Sequence, residues 1–363
     1  MNYRYKVKTN ISSYKKILYE IRSKVDSVSI QGSVLGPVLF LMYIQDISKH
    51  VTANTKIFVD DTKIKDIIIE EEDVEKLQAN LDKLFDWEEE NNMKFNGAKF
   101  QLIRYGPNED IKNNTLYFTN NYEHVIERFS SLRDLGVILS EDGRFEHHIE
   151  KVSKKVRQKV GWILRSFYTR NTNHLKHLWK TLIQCHVDYC SQLYMPSQAG
   201  NMQAIEKLFY NFTSKIPEVR DMNYWKRLEY LQMYSQERRM ERYRAIYVWK
   251  ILEGYAPNCG IELAQENQRL GRKVKIPSLA RNGRQSIQSL REQGFRINGA
   301  RLFNILPKKI REIKYNHEEF KEALDVFLSG VPDQPRIGSL VPTATDQMSG
   351  RQSNSLLAWR NGA

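Results

Sequence analysis

Two adjacent carboxylates, Asp60 and Asp61, interrupt a run of strand formers, with Ile-Phe-Val before them and Thr-Lys-Ile after. Like charges side by side in a tight turn repel each other, and glycine or asparagine would be more comfortable there. Carboxylate oxygens fixed on a hairpin instead suit divalent cations and phosphoryl transfer, in which metal ions stabilise the attacking and leaving oxygens. A bare Asp-Asp pair is more often a solvated turn, so its surroundings have to decide between the two readings.

Those surroundings are ordered. Gly32 and Gly36 permit turn dihedrals or close backbone approach, and Pro37 suits the first turn of a helix. Residues 38–44 are apolar on every face, which predicts a helix buried on most sides. Residues 55–59 and 62–69 read as antiparallel strands joined across Asp60-Asp61. Residues 73–90 carry the clearest helical period, with Val74, Leu77, Leu81, Leu84 and Phe85 on one face, acids on the other, and Asn91-Asn92 as a stop. Residues 100–105 read as a short strand halted by Gly106-Pro107-Asn108, and 132–139 as another, containing Leu135-Gly136-Val137. Residues 3–8 and 14–25 mix aromatic, aliphatic and basic side chains and are assigned only as strand or short amphipathic pieces.

Beyond residue 143 the pattern turns helical. Residues 147–186 suggest two helices dense in base, including Lys151, Lys154, Lys155, Arg157, Lys159 and Arg165, with Trp162, Phe167, Tyr168 and Trp179 interleaved. Such a mixture fits phosphate contact with base stacking, or equally a bundle with a solvated basic face and core aromatics. Helices are also expected over 202–215, from an Ser235 N-cap to Leu252 with Gly254 as its stop, and over 318–328. Residues 255–298 read as loop-like and basic, and the Pro-, Gly- and Ser-rich tail from Gly330 as disordered.

Bulk composition narrows the partner. A chain of 363 residues can bury a sizeable core and predicts two or three domains. The net charge is +13, although residues 66–92 hold eleven acids against two lysines. A basic chain with an acidic island points to a polyanion, most often nucleic acid. Three scattered cysteines do not make a disulfide framework and fit a reducing compartment. No signal peptide is visible, and the longest apolar run, 37–44, falls far short of the roughly twenty residues of a membrane span. The expectation is an intracellular protein, in nucleus or cytoplasm, with no membrane partner. His177, Cys185, His186 and Cys190 do not form a zinc pattern, since positions five apart on a helix face different ways. Thr62 stands where a haloacid-dehalogenase-type phosphatase needs a second aspartate, and residues 32–37 lack the Gly-Lys-Ser/Thr ending of a P-loop.

Gln31-Gly32-Ser33-Val34-Leu35-Gly36-Pro37 followed by Phe58-Val59-Asp60-Asp61 resembles the palm of reverse transcriptases from non-long-terminal-repeat retrotransposons of the jockey-like class. The resemblance continues through Leu77-Gln78, Trp87, Phe95-Asn96-Gly97-Ala98-Lys99 and Leu135-Gly136-Val137, then Tyr189, Arg238-Arg239 and Leu306-Pro307. It implies Asp60 as a palm metal ligand with Asp61 supporting it, and Mg²⁺ or Mn²⁺ as cofactor. Gln31, Gly32 and Ser33 would line the nucleotide and template surface, and Lys99 would protonate the leaving pyrophosphate, unless it is a plain surface lysine. Leu135, Gly136 and Val137 would grip the primer end, and the basic helices would form a thumb along an RNA template and DNA primer. Val59 stands where the family more often has alanine.

The family also carries a further aspartate and its fingers well upstream of the Gln-Gly motif. Only thirty residues precede Gln31, with Glu20 and Asp26 their only acids. The expectation is therefore an N-terminally truncated element with an incomplete metal site, or a nucleic-acid-binding remnant without catalysis. The fold expected is α+β: a partial palm over 1–143 with an antiparallel sheet and packed helices, a basic thumb-like helical region over 144–220, a helical region over 221–329, and the tail over 330–363.

Overall fold

A computed structural model describes residues 4–5, 35–59, 61–106, 115–119, 124–194, 199–265, 269, 271–278, 285–333 and 356. The chain divides into two compact units: Met1–Leu132 with Ser140–Asp142, and Arg133–Leu139 with Gly143–Ala363. The architecture is mixed helix and sheet, with helix predominating. Among the described residues no helix is long and apolar enough to cross a membrane.

In the first unit the strands pair two by two. β1 (Arg4–Tyr5) pairs with β4 (Met93–Lys94), and β2 (Asn54–Phe58) with β3 (Asp61–Lys65). β5 (Gln101–Leu102) runs parallel to β8 (Glu127–Arg128), and β6 (Phe118–Thr119) antiparallel to β7 (His124–Val125). These ladders stand where one antiparallel sheet was expected. The strand predicted over 100–105 shortens to β5.

The helices here are α1 (Leu35–Ile44), the single turn α2 (Ile47–His50) and α3 (Glu71–Asn91). α3 follows its apolar period: Leu81, Leu84 and Phe85 are buried, and Trp87 joins them at the centre of the core with Ile44, Ile47, Val51 and Met93. Its start is fixed by the Asp73 carboxylate, which accepts from the Glu70 amide, and its end by Asn92 at φ 50°. α1 departs from expectation. Phe40, Tyr43 and Ile44 pack on that core, but Leu35, Val38 and Met42 are 67%, 51% and 56% exposed. An all-apolar helix has no preferred face, so composition gives no direction to its burial.

The expected strand 132–139 is a hairpin, β9 (Ser131–Asp134) and β10 (Val137–Ser140). It is bent by Leu135 and Gly136 at φ 43° and 90°, a left-handed pair typical of two-residue hairpin loops. The division between the two units runs through this element.

The second unit is helical. α4 (Glu146–Ser166), α5 (Thr172–Leu178), a π-helical stretch (Trp179–Ile183) and α6 (Gln184–Asp188) occupy the region predicted as two helices, and the single turn α7 (Ser191–Tyr194) follows it. They pack with α8 (Ala199–Thr213) and α9 (Tyr224–Leu231) around Trp179, Phe209 and Phe212. α10 (Gln236–Leu252) begins where expected, the Ser235 hydroxyl accepting from the Arg238 amide at 3.1 Å, and Gly254 follows its end at φ 78°.

α11 (Gln285–Gln293) and the start of α12 (Phe295–Ile305) stand where the end of the loop predicted over 255–298 was expected, and α12 packs on α10 through Ala300, Leu302 and Phe303. The single turn α13 (Lys308–Arg311) and α14 (His317–Ser329) complete the unit. The tail is not wholly free of the core: Val331 and Asp333 are buried, and Leu356 sits among the α10 and α14 side chains. The Leu356 amide donates to the Glu241 carboxylate at 3.0 Å.

Candidate nucleic-acid and acid-hairpin site

The acid hairpin is built from the α3 side. Asn80 is buried and its side-chain carbonyl accepts from the Thr52 amide at 2.7 Å and the Thr52 hydroxyl at 2.9 Å, pinning the chain just before β2. Gln78 does the same for β6, exchanging two hydrogen bonds with the Phe118 backbone at 2.9 and 3.2 Å. Within the hairpin, Ile57 and Ile64 turn toward the core while Phe58 and Asp61 point outward. Phe58 is paired with Asp61, which leaves only positions 59 and 60 between the strands. The turn therefore lies one residue earlier than the predicted junction at Asp60-Asp61, and Asp61 opens β3. Val59 adopts φ 53°, a left-handed conformation that costs a β-branched residue about 1–2 kcal/mol. Strain of this kind persists where the surroundings over-determine it, and functional sites are common among such places.

Asp61 is exposed at the hairpin tip beside exposed Phe58 and Val59. Asp60, Gln31, Gly32 and Ser33 lie outside the described residues. Lys99 is exposed in a 3₁₀ turn, Gly97–Lys99, and forms no ion pair among the described residues. Among the described residues no group of three or more His, Cys, Asp or Glu side chains converges. A carboxylate is the right donor for Mg²⁺, but the single carboxylate of Asp61 is less than a metal site.

The Leu135-Gly136-Val137 segment belongs to the second unit. Val137 is buried, and the exposed turn is latched by Tyr189, whose hydroxyl donates to the Leu135 carbonyl at 2.6 Å. A side chain at Gly136 would meet the Tyr189 ring at 3.3 Å. Asn80 and Tyr189, the two side chains that hold these turns, carry no sequence signal of that role, because each works on a backbone about 27 or 54 positions away.

α4 separates its faces cleanly. Ile149, Val152, Val156 and Ile163 are buried. Lys151, Lys154, Lys155, Arg157 and Arg165 are exposed, Lys159 is half-exposed, and none of the six forms an ion pair among the described residues. At 3.6 residues per turn Lys151, Lys154, Lys155, Trp162 and Arg165 share one stripe, with Lys159 at its edge and Arg157 to the side. Trp162 is 49% exposed within that stripe, and Tyr168 beyond the helix end is 91% exposed. Trp179, the fourth aromatic of the region, is core. The arrangement presents cationic side chains and one aromatic face to solvent along about 21 Å of helix.

Comparison of the chain with protein-family models, with curated proteins and with solved structures finds no match.

Proposed function

We propose that this chain is the reverse-transcriptase segment of a non-long-terminal-repeat retrotransposon, working on an RNA template and a DNA primer. The observation that carries the reading is the acid hairpin: a two-residue turn, strained at Val59, that hands the chain to Asp61 at the exposed tip. The reaction of such an element is attack of the primer 3′-hydroxyl on the α-phosphate of a deoxynucleotide, with pyrophosphate leaving. Asp60 and Asp61 would hold Mg²⁺ or Mn²⁺, which supplies charge stabilisation at the reacting oxygens when bound. Leu135 to Val137 would contact the primer end. Primer extension on an RNA template with either cation tests this: extension that disappears in Asp60→Ala supports it, and absence of extension removes the catalytic part.

The basic stripe of α4 favours a second reading, a nucleic-acid-binding chain without catalysis. Its Lys and Arg side chains supply sequence-independent phosphate contact whose affinity falls as salt rises. Lys154→Glu with Lys155→Glu should weaken binding of an RNA–DNA duplex about tenfold or more and flatten its salt dependence, while Asp60→Ala leaves binding unchanged. Binding indifferent to salt and to the double substitution would overturn both readings.

A further inference from the structure

α10 carries four arginines on or near its buried side, and three of them face carboxylates. Arg238 lies 3.8 Å from Asp333, Arg239 2.7 Å from Asp188 and Arg242 2.5 Å from Asp325. Arg244 does not. It is 1% exposed, and its contacts are neutral oxygens: Nε donates to the Gln192 carbonyl at 3.0 Å, and Nη1 to the Gln293 carbonyl at 3.0 Å and the Asn298 side chain at 2.9 Å. The two hydrogens on Nη2 have no acceptor among the described residues. A buried charge is ordinarily paired, because desolvation without a counter-ion costs several kcal/mol. Burial accordingly pushes the Arg244 guanidinium down to about 10, which leaves it charged at neutral pH.

Arg244 lines a cavity of about 160 Å³. Two helix starts contribute to its wall, Phe145-Glu146 at α4 and Gly294-Phe295 at α12, and neither helix has a side-chain cap on its first amides. Both starts therefore add positive potential to the guanidinium. The rest of the wall sets Ile149 and Tyr194, both buried, and Leu193, 49% exposed at the opening, beside the polar Asn201 and Gln293. Glu146 and Arg144 also line the cavity, 3.8 Å apart, and largely offset each other, so the preference for an acid on an apolar body over a compact hydrated dianion rests on the apolar side chains. A cavity of about 150 Å³ accommodates a benzene-sized body.

We infer that this cavity binds a carboxylate carried on a compact apolar body, with the carboxylate on Arg244 Nη2 and the apolar part against Ile149, Leu193 and Phe295. The inference does not depend on the nucleic-acid reading. The carboxylate has two possible sources, a free small acid or the C-terminus of a peptide ending in an apolar residue.

Ligand-detected NMR on the full chain distinguishes them, with benzoate, benzyl alcohol, inorganic phosphate, and a short peptide ending in Phe as acid and as amide. Benzoate should bind with Kd on the order of 1 mM, and benzyl alcohol and phosphate at least about tenfold more weakly. The peptide acid binding while its amide does not identifies a chain terminus as source; benzoate binding alone identifies a free acid. Arg244→Gln should abolish benzoate binding. Because that substitution disturbs a buried position, Leu193→Trp, which fills the opening from an exposed site, is the second variant and should weaken benzoate about tenfold with the circular dichroism unchanged. No benzoate binding, equal binding of phosphate, or full binding in a folded Leu193→Trp chain would overturn the inference.

Discussion

The two units hold themselves together differently. Among the described residues, the first is a set of two-stranded ladders around α3, with two small apolar clusters and apolar side chains left in water on α1, at the hairpin tip and at Ile67 and Ile69. The second encloses Trp179, Trp249, Phe209, Phe212, Phe303 and Phe320 completely. A two-stranded ladder is marginal in water by itself, whereas each large side chain fully buried contributes roughly 1.5–3 kcal/mol. The difference teaches that cohesion resides in the helical unit. The strained, exposed turn that bears the candidate acids belongs to the part with least packing to spare, which is where local opening concentrates.

The sharpest way to break this comparison is to empty the helical core. Trp249 stacks on Phe320 at 5.2 Å and Tyr255 at 5.7 Å and donates to the Ile313 carbonyl at 2.8 Å. Trp249→Ala should cost about 3–5 kcal/mol in denaturant unfolding, and hydrogen exchange should show α10 and α14 deprotected first. Equal loss across α3 would mean one cooperative unit rather than two.

A pH titration addresses the same unit. Glu206 is buried, accepting from the Tyr224 hydroxyl at 2.6 Å and the Gln236 amide at 2.9 Å, and burial pushes its carboxyl from 4.5 up to about 8. Burial raises Asp333 as well. A carboxyl raised in the folded chain contributes stability that is full below its ordinary value and lost as pH rises through the folded one. The helical unit should therefore weaken from about pH 4.5 to about pH 8, and Glu206→Gln should flatten that decline. A stability curve of the same slope in both chains would remove Glu206 as its cause.

The smallest effect sharpens the picture of the hairpin. Val59→Gly relieves the left-handed φ and should stabilise the β2–β3 ladder by about 1 kcal/mol, partly offset by the looser unfolded chain. Slower amide exchange at Ile57 and Thr62 is the readout. If those amides exchange faster instead, the valine side chain holds the turn more than its backbone strains it.

Local signals were legible from residue order. The α3 period and its Asn92 end, the Ser235 cap and the existence of a hairpin at the acids all rest on interactions within a few positions. The readings that changed depend on distant partners. The turn register at Val59 was missed by one residue because Phe58 pairs with Asp61 once Ile57 and Ile64 are drawn to the core. The hairpin at Leu135-Gly136 looked like one strand because leucine rarely adopts φ 43°. Residues 285–298 read as loop, yet α12, which begins among them, gains its burial from α10 some fifty positions away.

By itself the sequence determined the basic charge, the acid pair, the ordering of strand-rich before helix-rich segments and the amphipathic faces of α3 and α4, since these follow from side-chain type and period. Tertiary structure alone decided that α1 leaves apolar residues in water, that Trp179 is core while Trp162 is not, that Leu356 returns to the helical core, and that Arg244 is buried with neutral oxygens as its hydrogen-bond partners. Burial and charge pairing are properties of what lies opposite a residue, and residue order does not encode the opposite wall until the chain has closed on itself.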